Sequence, residues 1–254
     1  MSIHIKTESE VSIMRLAGKK LAQVMRCLEK EVRPGATTLQ LDELAEKLIL
    51  ERGGRPAFKG YGGGKNPFPA TICASINNEI VHGIPNFKRI LKEGDIFKVD
   101  MGLEIDGFFS DMARTFAVGE VSPQAKKLIE VTQQAFWKGI KELKDGAMLS
   151  DYSKAAEKTA INAGFSVVKN LVGHGIGKNL HEEPQVPNYF EKGFRDFKLK
   201  AGMTLALEPM VNTGTFKTVL GKDGWVFETA DGLLSAHYEN TILITKNGVE
   251  ILTA

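Results

Sequence analysis

Cysteine is scarce in this 254-residue sequence: Cys27 and Cys73 are the whole complement. Two thiols cannot build a disulfide framework or a Cys-rich zinc module. Long apolar runs are missing, and so is a signal peptide, so no membrane segment is expected and a reducing cytoplasm is the default. An excess of one charge is missing too. The 33 Lys and Arg nearly balance 31 Asp and Glu, for a net charge of +2. That leaves no electrostatic footprint for nucleic acid or an anionic membrane. The 43% hydrophobic and 25% charged content is that of an ordinary globular chain, with enough apolar residues for one large core or two small ones.

What the sequence does have is a pair of acidic residues on two facing apolar stretches. Ile96 to Ile105 and Phe108 to Val118 are both β-rich, and Asp106-Gly107 between them is the strongest short hairpin signal. A two-residue loop there sets Asp100 opposite Ala113 and Asp111 opposite Gly102. Side chains alternate along a strand, so all four share one face. Two aspartates so placed, in apolar surroundings, repel and desolvate each other unless something positive lies between them.

The rest of the chain reads in order. Glu8 to Glu31 has helical apolar spacing and is stopped by Pro34-Gly35. Thr37 or Thr38 caps a second helix, about 39 to 52. Arg55 to Pro69 reads as a Gly- and Pro-rich loop, too irregular for core. Thr71 to Ile76 is strand-like and leads to Ile80-Val81-His82-Gly83. Ser122-Pro123 starts a helix to about Leu143, and another runs from about Ser150 to Ala163. Phe165 to Val172 is strand-like and precedes Gly173-His174-Gly175. A loop holding His181, Pro184 and Pro187 follows. Met203 to Val211, Val219 to Thr229 and Leu234 to Thr245 complete a β-rich end.

This order repeats. Shifted by 111 residues, Gly35 to Gly54 overlays Gly146 to Phe165 with six of twenty positions identical. Shifted by 108, Leu91-Lys92-Glu93-Gly94 overlays Leu199-Lys200-Ala201-Gly202, and Asp100 falls on Glu208. With the shared element order, these overlays suggest an internal duplication. The expectation is a single α+β domain, residues 1–254, of two similar halves at about 8–119 and 122–246.

Five candidate metal ligands stand out: Asp100, Asp111, His174, Glu208 and Glu239. Glu208 follows Leu205-Ala206-Leu207, and Glu239 sits in the strand-like run Ala236 to Asn240. An acid in an apolar strand is rare unless it is paired or bound to metal. Four carboxylates and one imidazole suit two hard or borderline divalent ions and balance their charge. Such a pair, roughly 3.5–4 Å apart, acidifies a water for hydrolysis.

At this point the sequence resembles the type I methionine aminopeptidases, of the pita-bread fold. The matching stretches are CASINNEIVHGIP, VDMG with SDMARTF, VGHGIGKNLHEEPQVPNY, LALEPM and SAHYENT, in the family's order across nearly the whole chain. The resemblance implies the α+β pita-bread architecture, an antiparallel-rich sheet covered by helices, and removal of N-terminal methionine when the second residue is small. It implies that Asp111 and Glu239 bridge two metal ions, Asp100 completes one, and His174 with Glu208 completes the other. The ions would be Co, Mn, Fe or Zn. Glu208 would also shuttle a proton, and His82 and His181 would hydrogen-bond the scissile amide. Tyr61, Cys73, Trp225 and Phe68 match the methionine pocket, with Leu180 where many members have Phe. His237 stands where Gln is common and is read as structural. The resemblance also implies a monovalent cation, Na or K, near Asn77, Glu79 and Ser235. Implied partners are nascent polypeptide N-termini near the ribosome exit, met by a cytoplasmic monomer that binds neither nucleic acid nor membrane.

Two other readings are weaker. Xaa-Pro dipeptidases of this fold carry an N-terminal domain, whereas here the first helix begins within about ten residues of the start. The non-catalytic, RNA-associated members lose metal ligands, whereas all five candidates are present.

Overall fold

The computed structural model describes residues 3–193 and 196–254. The first half opens with two helices, α1 (Glu8–Glu29) and α2 (Thr38–Glu51). Each starts at a capping box in which a threonine accepts from the third helical N–H and that residue's side chain answers: Thr7 with Glu10, Thr37 with Gln40. Strands β1 (Arg55–Pro56), β2 (Ile72–Ile76), β3 (Glu79–Val81), β4 (Ile96–Ile105) and β5 (Phe108–Ala117) follow. The second half opens with α3 (Pro123–Ile140), capped by Ser122, and α4 (Leu149–Asn162). It continues through β6 (Ser166–Val167), β7 (Gly173–Gly175), β8 (Glu182–Val186), β9 (Thr204–Leu207) and β10 (Met210–Asn212). The chain closes with β11 (Thr218–Leu220), β12 (Phe227–Thr229), β13 (Ser235–His237), β14 (Asn240–Ile244) and β15 (Val249–Ile251).

The β4–β5 hairpin has the expected register, with Asp100 opposite Ala113 and Gly102 opposite Asp111. Asp106 and Gly107 both have positive φ, 50° and 79°, as a type I′ turn requires. One face of the hairpin, with Val99, Met101 and Met112, packs under Leu21, Met25, Leu41 and Ile49 of α1 and α2. The other face carries the two aspartates. A second core lies between α3–α4 and the sheet ordered β15-β14-β9-β7-β8, where Phe136 and Tyr152 meet Leu205, Leu207 and Ile242. A third apolar group, including Met14, Phe58, Cys73, Leu180 and Leu243, joins the halves.

Equivalent connections recur at the offsets seen in the sequence. Thr37 bridges Ile90, and Met148 bridges Lys198. Gly35 N donates to Leu91 O at 2.8 Å, and Gly146 N to Leu199 O at 2.8 Å.

Several sequence expectations need correction. Arg55–Pro69 is not wholly loop: β1 pairs with β4, and Phe58 and Phe68 are buried. The segment after Gly177 contains a strand, β8. Pro184 hid it, but β8 lies at a sheet edge, where a missing N–H is tolerated. Only Ser166–Val167 of the predicted Phe165–Val172 strand pairs, and β15 was not expected. Met203–Val211 and Leu234–Thr245 each break in two. β9 pairs with β14, β10 pairs with β13, and the register total is the same on both sides of the break. The ladder therefore bends at Glu208-Pro209 facing Tyr238-Glu239 and passes from one sheet to the next. Glu239 sits at that bend, not inside a strand. No helix among the described residues is long and apolar enough to cross a membrane.

Candidate active site

The bend and the hairpin meet. Glu239 N donates to Ala113 O at 2.9 Å, and Asp111 N and O both bond Thr241 Oγ1 at 2.9 Å. These bonds lock β5 to β14. They bring Asp100 and Asp111 from the first half against Glu208 and Glu239 from the second. His174 enters from β7, next to β9. Donor atoms of Asp111, His174 and Glu239 lie within 4.8 Å of one another. His174 Nε2 is 3.7 Å from Glu208 Oε1.

The electrostatics define what this cluster needs. Burial pushes Asp111 up to about 7, although Asp100 and the Met112 N–H hold it down. Burial raises Asp100, Glu208 and Glu239 well above the carboxylate range, and their neighbours in the cluster raise them further. Burial lowers His174 to about 3. The His174–Glu208 contact is therefore not an ion pair; both groups face the same point. His174 Nδ1 lies 2.8 Å from Gly175 O. Donating there leaves the Nε2 lone pair free, which is the tautomer of a metal-ligating histidine. Asp100 Oδ1, Asp111 Oδ1 and Glu239 Oε1 are buried without a hydrogen-bond partner. Orphaned carboxylate oxygens beside a free imidazole nitrogen fit divalent metal and fit little else.

A cavity of about 300 Å³ opens onto these residues. Its lining contains all five candidate ligands, both histidines, His82 and His181, and all four pocket residues, Tyr61, Phe68, Cys73 and Trp225. Phe68 packs edge-on against Trp225 at 5.2 Å between ring centres, and Tyr61 lies 4.9 Å from the His181 ring. His181 is also 4.2 Å from the His174 ring. His82 adopts positive φ, 60°, and packs against Trp225 and Phe227. Burial, reinforced by His181, lowers His82 to about 4, so it is a neutral imidazole at pH 7. Burial, with Asp100 and Asp111 adding to it, pushes the Cys73 thiol well above its ordinary value. Cys73 is thus a neutral wall, not a nucleophile.

Two lining residues complete the pocket. Leu180 keeps the slot apolar. Phe58 was not anticipated, because it lies in the segment read as loop. The signal was Gly102: a Cβ there would stand 2.8 Å from Ala57 Cβ and 2.9 Å from Phe58 Cε1. The glycine between Met101 and Leu103 is what lets Phe58 close over the hairpin.

His237 is 1% exposed, its ring nitrogens are unpartnered, and Nε2 is 3.6 Å from Glu208 Oε2. The expected monovalent-cation set does not fit a free ion. Lys98 Nζ already donates to Asn77 O and Ser235 O, each at 2.8 Å. The Glu79 carboxylate pairs with Arg89 and accepts from Ile76 N.

Helices outside, antiparallel sheets within and a buried acidic cluster at the seam define a metal-dependent peptidase of the pita-bread class. The chain belongs to metallopeptidase family M24, whose pattern matches residues 12–246. It is 49% identical to a methionine aminopeptidase of Clostridium acetobutylicum, over 99% of this chain and 98% of that one. The structure of a methionine aminopeptidase from Thermotoga maritima superposes with a TM-score of 0.95, at 44% identity and 99% coverage of both chains. An Xaa-Pro dipeptidase from Bacillus anthracis shares the fold, with a TM-score of 0.76 at 22% identity, covering 98% of this chain and 61% of that one.

Proposed function

We propose that this protein removes the N-terminal methionine from nascent proteins and peptides whose second residue is small, by hydrolysis of the first peptide bond. The observation that carries the reading is the joining of two parts in one cavity. An acidic, cation-demanding floor lies beside an apolar, aromatic-walled slot. Asp111 and Glu239 would hold two divalent ions in common, Asp100 would complete one, and His174 with Glu208 the other. Co, Mn, Fe and Zn all accept this donor set. When bound, the ions supply Lewis acidity and a water acidic enough to attack at neutral pH.

The chain's own groups supply the rest. His82 and His181, on the cavity wall, hydrogen-bond the scissile amide, orient it, and stabilise charge that develops on attack. Glu208 takes the proton of the attacking water and passes it to the departing amine. Its site at a bend gives its carboxylate a fixed aim, supported by Asn188 Nδ2 donating to Glu208 O at 3.1 Å. Tyr61, Phe58, Phe68, Cys73, Leu180 and Trp225 receive the first side chain. Methionine is long, unbranched and polarizable, and suits a narrow slot through dispersion and sulfur–aromatic contact.

The same reading treats the chain as one domain of two duplicated halves, supported by the matching bridges at both offsets. It makes the protein a cytoplasmic monomer whose partners are polypeptide N-termini near the ribosome exit. The deciding assay uses purified protein with added Mn²⁺ or Co²⁺ on Met-Ala-Ser, Lys-Ala-Ser and Ala-Pro. Cleavage of Met-Ala-Ser alone is the expected result. Preferred cleavage of Ala-Pro would make it a dipeptidase instead.

A further inference from the structure

Lys98 is 1% exposed, a rare state for a lysine. It points from β4 on the face that carries Asp100, two residues on. Its partners are two main-chain carbonyls, not a carboxylate. Asn77 O and Ser235 O accept from Nζ at 2.8 Å each. Asn77 belongs to the turn between β2 and β3 in the first half, and has positive φ, 52°. Ser235 begins β13 in the second half, four residues before Glu239. The two are already joined, because Ser235 N donates to Asn77 O at 3.1 Å. Asn77 is itself fixed: its Nδ2 donates to Asp95 Oδ1 at 2.8 Å, and its Oδ1 accepts from Ile96 N at 3.0 Å.

Carbonyl oxygens converging from two segments are how a protein collects a hard monovalent cation. Here the negative ends of both carbonyls already face a positive group. The two carbonyl dipoles favour the charged form.

We propose that the Lys98 ammonium is a tethered monovalent cation, occupying the carbonyl site of Asn77 and Ser235, clamping the two halves beside the acidic cluster, and making the protein independent of dissolved Na⁺ or K⁺. An apolar residue of the same length would pack at this position but would leave Ser235 O facing a hydrocarbon chain. The tether differs from a dissolved ion in one respect: it cannot dissociate. The seam that brings Asp100 to Glu239 is therefore held at any salt composition. This inference does not depend on the peptidase reading, because its readout is unfolding temperature.

The test compares wild type, Lys98→Ala and Lys98→Met in choline, sodium, potassium and ammonium chloride at equal ionic strength, with divalent metal held constant. Wild type should unfold within about 1 °C of the same temperature in all four salts. Lys98→Ala opens the space where Nζ stood. In choline it should lose about 5 °C or more, from the cost of a buried acceptor without a donor. At least half of that loss should return in one of the three small cations. Lys98→Met fills the space without charge, so it should lose stability in every salt and regain it in none. Wild type stabilised by Na⁺ or K⁺ over choline would overturn the proposal. So would a Lys98→Met variant as stable as wild type, or a Lys98→Ala loss that no cation repairs. If Lys98→Ala fails to fold, the wild-type salt series and Lys98→Met still decide.

Discussion

Removing the divalent metal should cost more stability as the pH rises from 5 to 7. The reasoning starts with Asp111, whose carboxyl burial raises from 3.8 to about 7 in the folded, metal-free chain. A folded value above the unfolded one contributes stability below about pH 4, and this is lost as pH climbs through about 7. In the metal-free protein this loss is masked. His82, His174 and His237 have folded values lowered to about 4, 3 and 3, so up to pH 6.5 they contribute in the opposite sense. The difference between loaded and metal-free protein removes the mask. His174 is already neutral at pH 5, and histidines that do not bind metal cancel. What remains is the proton that metal must expel from the acidic cluster. Each such proton makes the metal's stabilisation grow by about 1.4 kcal/mol per pH unit. Asp111 alone, half titrated at pH 7, therefore adds about 2.3 kcal/mol between pH 5 and 7. For a chain of this size that is about 5–9 °C in the gap between the two unfolding temperatures. Asp100, Glu208 and Glu239, raised in the same direction, steepen the slope. The assay is calorimetry at half-unit steps of pH, with chelator or with excess Mn²⁺. A gap that stays flat or shrinks from pH 5 to 7 would refute the claim that protonated carboxyls occupy this site in the absence of metal.

Three further outcomes separate the roles within the cavity. Asp111→Ala or Glu239→Ala should abolish activity and remove at least one metal equivalent by elemental analysis; full activity at stoichiometric metal would overturn the shared-ligand assignment. His82→Ala and His181→Ala should keep their metal but lower kcat by roughly 10²–10⁴-fold. A parallel fall in metal content would mean that one of them is a ligand. Trp225→Ala removes the ring that packs on Phe68 and His82 and should admit bulkier first residues with metal binding intact. In the wild type, norleucine should be cleaved almost as well as methionine, since such a slot discriminates by only about 1–3 kcal/mol per methylene. An unchanged preference among Met, Leu and Phe in the variant would place Trp225 outside the pocket.

Local chemistry made the hairpin legible. Asp106-Gly107 set the register, and with that register period-two alternation set the shared face of Asp100 and Asp111. Helices were legible through the apolar spacing that begins after Glu8 and through the caps at Thr37 and Ser122, each with its partner within three residues. The misreadings share a cause, which is that pairing decided the outcome and propensity did not. β8 contains Pro184 and still pairs, because only one of its edges meets a neighbour. Phe58 is core because Gly102, far away in sequence, leaves room for it.

Glu208 and Glu239 carry the same lesson further. Read along the chain, each lies in or beside an apolar run, and that oddity was enough to mark it. Its cause is visible only across the sheet. β9–β10 and β13–β14 are one two-stranded ladder that changes sheets midway, and the change falls at the residues carrying the acids. A continuous ladder would turn alternate side chains to one face and bury each acid or expose it. The bend frees two positions from that alternation and lets facing residues of both strands aim at one point. The hairpin supplies two more acids from the other half at the same level. The cluster is thus a product of sheet topology, and its unpartnered oxygens are the part of the fold that only a cation completes.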